Sequence, residues 1–439
     1  MQFQSWTFLL FFIPVLLLYR AVRGTRLRIP VLLVASYVFY ASFNLYFPIC
    51  LAVVTIVDYL TGLWLSRRRS RVPVCVSVLV DMGMLCSFKY IPRVTDFDWI
   101  LPVGLSFFTF KSLSYVIDVY RGRIAAERNL AAYAAYVAFF PQLVAGPIDR
   151  ATTLLPQLRH SVPLRAGDLS EGFSMFIAGL FKKAVMADML AVYVNTVYDD
   201  VESFSGAMRL LAAYAYAWQI YFDFSGYSDM ACGIARCMGF RCMLNFDNPY
   251  VAVDVRDFWR RWHISLSTWF RDYVYIPLGG NRRGKIRGWL NVMVTMLVSG
   301  AWHGATWTFV AWGGLHGLGS VVSSCFDRSG WYGRIPRIIR QIAVFHFMTL
   351  TWIFFRAESF GDAFEVIRGI AAWEEGDFSF PPVPFILTGL VWLYELAWAS
   401  RFRWILENRV ARLAAAVFVL AGILLLGGGA SSQFIYQQF

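Results

Sequence analysis

The chain is 439 residues long, with 58% of them hydrophobic and only 15% charged. A soluble domain carries about 25% charged residues, so the composition excludes an ordinary soluble fold and points to a bilayer. Forty basic against 28 acidic residues leave a net charge of +12, an excess that in a membrane protein collects in cytoplasmic loops and sets orientation; no nucleic-acid partner is expected.

The first expected helix, residues 1–19, lacks a basic start and is followed by Arg20, Arg23, Arg26 and Arg28. A cleaved secretory signal has the opposite charge order, so the segment reads as a membrane pass that ends in the cytoplasm. Residues 30–41 return outward, and residues 48–65 come back to meet Arg67, Arg68, Arg69 and Arg71. Residues 72–90 go out, and residues 101–120 come in again, ending at Arg121 and Arg123. Residues 130–147 are apolar but close on Gly146 and Pro147, which predicts a half-membrane or re-entrant element. Lys182 and Lys183 open the next run, with Asp199, Asp200 and Glu202 beyond it, an in-to-out pass with an acidic outer loop. Residues 208–232 return. Residues 288–321 are too long for one pass and are interrupted by six glycines, so they form a broken helix or two passes. Residues 341–355, 384–399 and 411–426 complete the set. The expectation is an all-α polytopic membrane protein of about ten to twelve membrane segments, re-entrant or broken ones included, at about 20 residues each. It forms a single membrane domain over residues 1–439, with no repeat and no soluble module.

Residues 256–275 read as one amphipathic helix in the membrane interface. At about 100° per residue, Phe258, Trp259, Trp262, Leu266, Trp269, Phe270 and Tyr273 share one face, with Arg256, Arg260, Ser267 and Arg271 opposite. His263 falls at the boundary, either a polar residue at the rim or a contact at the mouth of a cavity. Arg282, Arg283 and Lys285 follow in a basic loop, which reads as a solvated positive-inside loop or as a clamp for the phosphates of a nucleotide-bearing donor.

His303 lies inside an apolar run, with Ser299, Gly300, Thr306 and Trp307 as its helical neighbours. An ionisable side chain there needs a partner or a task. Two readings compete: a buried histidine bonded to a neighbouring helix, and a general base or transiently acylated relay. His316, thirteen residues on, is about 220° further round a continuous helix and need not share the site. Lys111 and Asp118 share a helix face but lie about 10 Å apart along the axis, so they border one polar cavity rather than pair. Asp223 and Asp229 flank Gly226 in a stretch that is polar for a span; intramembrane acids mark functional sites or ion pairs. The seven cysteines have no zinc-type spacing and read as reduced packing residues, so no metal is expected.

Five blocks in order carry a resemblance: LSFFTF at 105–110 leading to YVIDVYRG at 115–122, FFPQLVAGP at 139–147, YFDFSGYSDMA at 221–231, FWRRWHISLS at 258–267 through LGGNR at 278–282, and WHGA at 302–305. Together they resemble the membrane-bound O-acyltransferase family, in its alginate O-acetyltransferase branch. The match covers residues 101–319, with helices 1–100 and 330–439 flanking it as hydrophobic segments. The resemblance implies a ring of tilted helices around a funnel through the bacterial inner membrane. It implies that the catalytic histidine falls on His303, beside Trp302, and that His263 supports it. It further implies an acyl group passed from a cytoplasmic thioester, acetyl-CoA as donor substrate with no bound cofactor, to an extracytoplasmic polysaccharide with the help of a periplasmic acetyltransferase partner. Arg282, Arg283, Lys285, Trp302, Asp223 and Asp229 are the candidate donor- or substrate-binding residues. Alginate, cellulose and other exopolysaccharides stay open as the polymer. The rivals are D-alanyl transfer from a carrier-protein thioester, a transporter or flippase coupled through intramembrane Asp and Lys, and a non-catalytic scaffold in an export complex.

Overall fold

The computed structural model describes residues 1–95, 99–160, 163–330, 332–427 and Ile435. Among them the secondary structure is helical, with a single isolated β-bridge between Phe204 and Asp377. The chain separates into two compact units, Met1–Ile177 with Tyr227–Leu244, and Ala178–Gly226 with Asn245–Phe439.

The first unit opens with α1 (Trp6–Val22), α2 (Arg28–Ala41), α3 (Phe47–Arg67), α4 (Arg71–Val94) and α5 (Leu105–Tyr120). Pro48 starts α3 where its missing N–H costs nothing, and the Ser70 hydroxyl caps α4 by accepting from Val72 N–H. The expected re-entrant element is two short helices, α6 (Leu130–Val137) and α7 (Phe140–Leu143), buried almost throughout. Next come α8 (Ala151–Arg159) and α9 (Asp168–Phe181). Within this unit α9 meets the end of α11 (Gly206–Cys237) through glycine: a Cβ on Gly172 would lie 2.6 Å from the Gly233 carbonyl oxygen. Small residues let membrane helices close to backbone contact in this way.

The second unit holds α10 (Asp188–Tyr198), which follows a π-helical turn at Lys182–Ala187, and the first part of α11. It continues with α12 (Val255–Arg261), α13 (Ile264–Phe270), α14 (Lys285–His303) and α15 (Trp307–Ser329), and ends with α16 (Arg337–Arg356), α17 (Phe360–Ala372), α18 (Pro382–Trp398), α19 (Arg403–Glu407) and α20 (Arg409–Leu426). Its core is aromatic, with Trp262, Trp312 and Trp352 fully buried.

Five helices among the described residues are long and apolar enough to cross a membrane, spanning Phe47–Arg67, Arg71–Pro92, Trp307–Phe326, Arg337–Arg356 and Arg409–Leu426. Three shorter apolar helices, Trp6–Val22, Arg28–Ala41 and Pro382–Trp398, accompany them. Helix α5, also expected to cross, is only 16 residues long, and α11 and α14 fall outside that set because of the polar side chains they carry, among them Asp223 and Asn291. Leu10, Leu17, Trp64, Leu79, Leu413 and Leu424 are exposed, a density of apolar surface that only lipid or a partner covers.

The single interfacial helix expected over residues 256–275 is not continuous. It breaks at His263, whose φ of 41° is left-handed, and its last turn, Arg271–Tyr275, is π-helical. A left-handed residue cannot continue a right-handed helix, and periodicity does not sense it. The run at 288–321 resolves into two helices, α14 and α15, joined at Gly304 in an extended conformation.

Candidate active site

Helices α14 and α15 pack as a tight hairpin, and glycine makes that possible. A Cβ on Gly300 would lie 2.2 Å from the Phe309 carbonyl oxygen, and one on Gly313 would lie 2.3 Å from that of Met296. His303 is the last residue of α14, where the chain turns into the hairpin, and it is buried. Its ring centroid lies 4.7 Å from Trp302, 5.0 Å from Trp312 and 5.2 Å from Phe355. The break after Gly304 also changes the place of His316. On a continuous helix it would face away; on α15 it packs 4.6 Å from Trp312, the ring that also meets His303. Trp259 closes the same cluster, 5.7 Å from Trp312 and 5.0 Å from His316. His316 is fully buried, and neither ring nitrogen has a hydrogen-bond partner among the described residues.

His263 is buried too, not a rim residue. Its Nδ1 lies 3.0 Å from Asn245 Oδ1, which also accepts from Ser265 Oγ at 3.0 Å. Because Oδ1 can only accept, Nδ1 carries the proton. The imidazole stands edge-on to Phe224, with centroids 4.6 Å apart. This segment lies outside the membrane-crossing helices, and burial pushes the imidazole down to about 3, so the ring is neutral. His263 thus orients the turn between α12 and α13 through Asn245 and Phe224, whereas His303 sits in the Trp302–Trp312–Phe355 cluster.

A cavity of about 390 Å³ opens between α12–α13 and α14. Arg256, Arg260 and Arg271 line it with Ser267 and Thr268, and α14 contributes Thr295 and Ser299. Arg256, Arg260, Ser267 and Arg271, grouped on one face by helical spacing, thus line this cavity, with Arg260 and Arg271 also exposed. Ser299 precedes His303 by one helical turn, and Phe270 in the cavity wall packs 6.3 Å from Trp302. Arg256 lies 3.8 Å from Asp254, and Arg271 2.8 Å from Asp272. Arg260 has no carboxylate partner among the described residues, which leaves its guanidinium available to an anion. Arg282, Arg283 and Lys285 are exposed, on a turn held to α14 by Asn291 Nδ2 donating to the Gly280 carbonyl at 2.8 Å, and they do not line the cavity.

The intramembrane acids separate. Asp223 Oδ1 lies 2.7 Å from Lys183 Nζ, which also binds Asp188 at 2.9 Å. Asp229, half-buried, belongs to the other unit. Lys111 and Asp118 take separate partners, as their spacing implies: Lys111 Nζ bonds Gln142 Oε1 at 3.1 Å and Asp118 pairs with Arg123 at 3.2 Å. Helical spacing groups the cavity arginines on one face but does not place a cavity against it, and no local spacing signals Lys183 as the partner of Asp223. No group of three or more His, Cys, Asp or Glu side chains that could hold a metal ion occurs among the described residues.

The family model described as "MBOAT, membrane-bound O-acyltransferase family" matches residues 124–357, which contain this whole site. The chain is 39% identical to the "Probable alginate O-acetylase AlgI" of Pseudomonas aeruginosa, over 85% of this chain and 76% of that protein. It is 33% identical to the peptidoglycan O-acetyltransferase of Helicobacter pylori, over 77% of this chain and 73% of that protein. With the teichoic acid D-alanyltransferase of Streptococcus thermophilus it shares 31% identity over 52% of this chain and 57% of that protein.

Proposed function

We propose, because this chain belongs to the membrane-bound O-acyltransferase family, that it moves an acetyl group from a cytoplasmic thioester, acetyl-CoA, across the bacterial inner membrane for O-acetylation of an extracytoplasmic polysaccharide. Membership makes it an O-acyltransferase of the membrane, against the transporter and scaffold readings. One observation supports the finer reading: a cavity lined by Arg256, Arg260 and Arg271 is also lined by Ser299, one turn from His303. Guanidinium groups suit the phosphates of a nucleotide-bearing donor. Arg282, Arg283 and Lys285, on the exposed turn that follows Tyr275 in the cavity wall, extend the same cationic surface.

In this reading the neutral imidazole of His303 takes the proton of an acceptor hydroxyl as its oxygen bonds to the thioester carbonyl carbon. The C–S bond then breaks, and the leaving thiolate takes the proton from the imidazolium. Such base catalysis is worth about 10²–10⁴-fold. The thioester supplies the driving force, so the protein positions the groups and excludes water, a task for which the aromatic walls of Trp302, Trp312 and Phe355 are suited. A periplasmic acetyltransferase partner completes delivery to the polymer.

The test is transfer of label from radiolabelled acetyl-CoA in proteoliposomes supplied with a polysaccharide acceptor and the periplasmic partner. His303→Ala is expected to lose transfer while inserting normally, and full activity in that variant sinks the reading. Arg260→Ala is expected to raise KM for the donor about tenfold, with a smaller change in kcat. A carrier-protein thioester that serves where acetyl-CoA does not would favour acyl transfer of the D-alanyl type instead.

A further inference from the structure

Asp58 and Asp81 sit mid-way along α3 and α4, both wholly buried in the first unit. Asp58 is well supplied with donors. Its Oδ1 accepts from Ser77 Oγ at 2.5 Å, and its Oδ2 accepts from Ser112 Oγ on α5 at 2.5 Å. The Ser112 oxygen lies 2.7 Å from Tyr133 Oη on α6, which donates to it because the serine proton is already spent on Asp58. Asp81 lies one turn beyond Ser77 on the same face of α4 and meets the Asp58 carboxyl. Neither Asp81 oxygen has a hydrogen-bond donor among the described residues.

Two ionised carboxylates are acceptors only, and in contact inside apolar spans they repel with no water to screen them. No lysine, arginine or histidine among the described residues pairs with either group. Among the described residues the neighbouring elements supply no other compensation. Helix α5 turns Lys111 to Gln142 and Tyr115 to the Glu127 backbone N–H, and Tyr37 on α2 faces Thr55, one turn from Asp58. Tyr133, from α6, reaches Asp58 only through Ser112.

We propose that Asp58 and Asp81 form a proton-binding site, in which one proton carried by Asp81 is donated to Asp58 and ties α4 to the Asp58–Ser112–Tyr133 network. A single proton converts one acceptor into a donor, leaves a net charge of minus one spread over the pair, and gives Asp81 its missing bond. A metal cation fits less well. It needs about six oxygen ligands, and both serine hydroxyls aim hydrogens, not lone pairs, at Asp58. The site shares no residue with the acyl-transfer cavity and does not rest on the reading of that cavity.

Infrared spectroscopy of the purified full chain in detergent tests the site, because a protonated carboxyl has a C=O stretching band distinct from carboxylate bands that shifts on H/D exchange. Asp81→Asn keeps a donor towards Asp58, which then stays ionised with three hydrogen bonds. The expected result is that the wild type shows such a band at neutral pH and that Asp81→Asn lacks it while eluting like the wild type. Ser77→Ala, which leaves both carboxyls in place, is expected to move the same band in frequency, a readout that stands even if Asp81→Asn fails to fold. No carboxyl band lost in Asp81→Asn and none moved in Ser77→Ala would overturn the proposal. So would a thermal midpoint that rises with sodium chloride over choline chloride in the wild type but not in Asp81→Asn, which would make the occupant a metal cation.

Discussion

His263 holds a backbone conformation that costs most side chains about 1–2 kcal/mol, with φ at 41°. Asparagine tolerates that region better than other residues with a Cβ. Hence His263→Asn is expected to keep the turn between α12 and α13 and lose mainly the contacts of the ring. His263→Val would add backbone strain and leave Asn245 Oδ1 with one donor fewer in a buried place, a loss of about 1–3 kcal/mol. Thermal midpoints in detergent separate the two, and equal midpoints would remove the turn from the argument. Burial also gives this residue a pH signature. Its folded imidazole is held at about 3, against 6.5 in the unfolded chain. Between those values the unfolded state binds the extra proton, so the contribution is complete above about 6.5 and is lost as pH falls. The wild-type midpoint is therefore expected to fall more steeply below pH 6.5 than that of His263→Asn, by about 1.4 kcal/mol of stability per pH unit. Parallel curves would mean that the ring is solvated.

The hairpin of α14 and α15 turns on two glycines whose hydrogens face backbone. Gly300→Ala places a methyl group 2.2 Å from the Phe309 carbonyl oxygen, where nothing flexible can yield. Gly314→Ala, one residue past the contact, meets only the Leu297 side chain at 3.7 Å. Gly300→Ala is expected to pry the hairpin apart, lower the thermal midpoint and reduce acyl transfer by moving His303, with Gly314→Ala near wild type in both assays. Similar behaviour of the two variants would separate His303 from hairpin packing. These elements also mark how far sequence carries. Hydropathy located the runs that become α14 and α15, and the glycines announced a break, because length and helix-breaking residues are local properties. The inward turn of His316 was not legible, since it depends on where the break falls relative to Trp312. Nor was the cavity: helical periodicity grouped Arg256, Arg260 and Arg271 on one face but could not say that α14 lies across it. Asp58 and Asp81 lie inside the expected spans 48–65 and 72–90 but were not singled out there, because their meeting is a fact of α3 packing on α4.

Taken over the whole molecule, the net charge of +12 and the buried charges obey different rules. The excess cations stand on exposed turns such as Arg282–Lys285, where lipid headgroups and water solvate them. Several charges buried in the second unit are matched by opposite ones. Lys183 answers both Asp223 and Asp188, the Ile435 N–H adds a bond to Asp223 Oδ2 at 2.7 Å, and Arg209 pairs with Glu374 at 2.9 Å. The Asp58–Asp81 pair lacks such a cation, which is why a proton is the natural occupant there. The matching makes a sharp expectation for Lys183→Met. It removes one positive charge and leaves two carboxylates buried against each other, so stability should drop by about 3–5 kcal/mol. Adding Asp223→Asn removes one of the stranded charges, and the double variant is expected to recover a large part of the loss. Denaturation in mixed detergent measures both. A double variant no more stable than Lys183→Met would mean that the lysine acts through packing of its stem beside the π-helical turn, with its charge secondary.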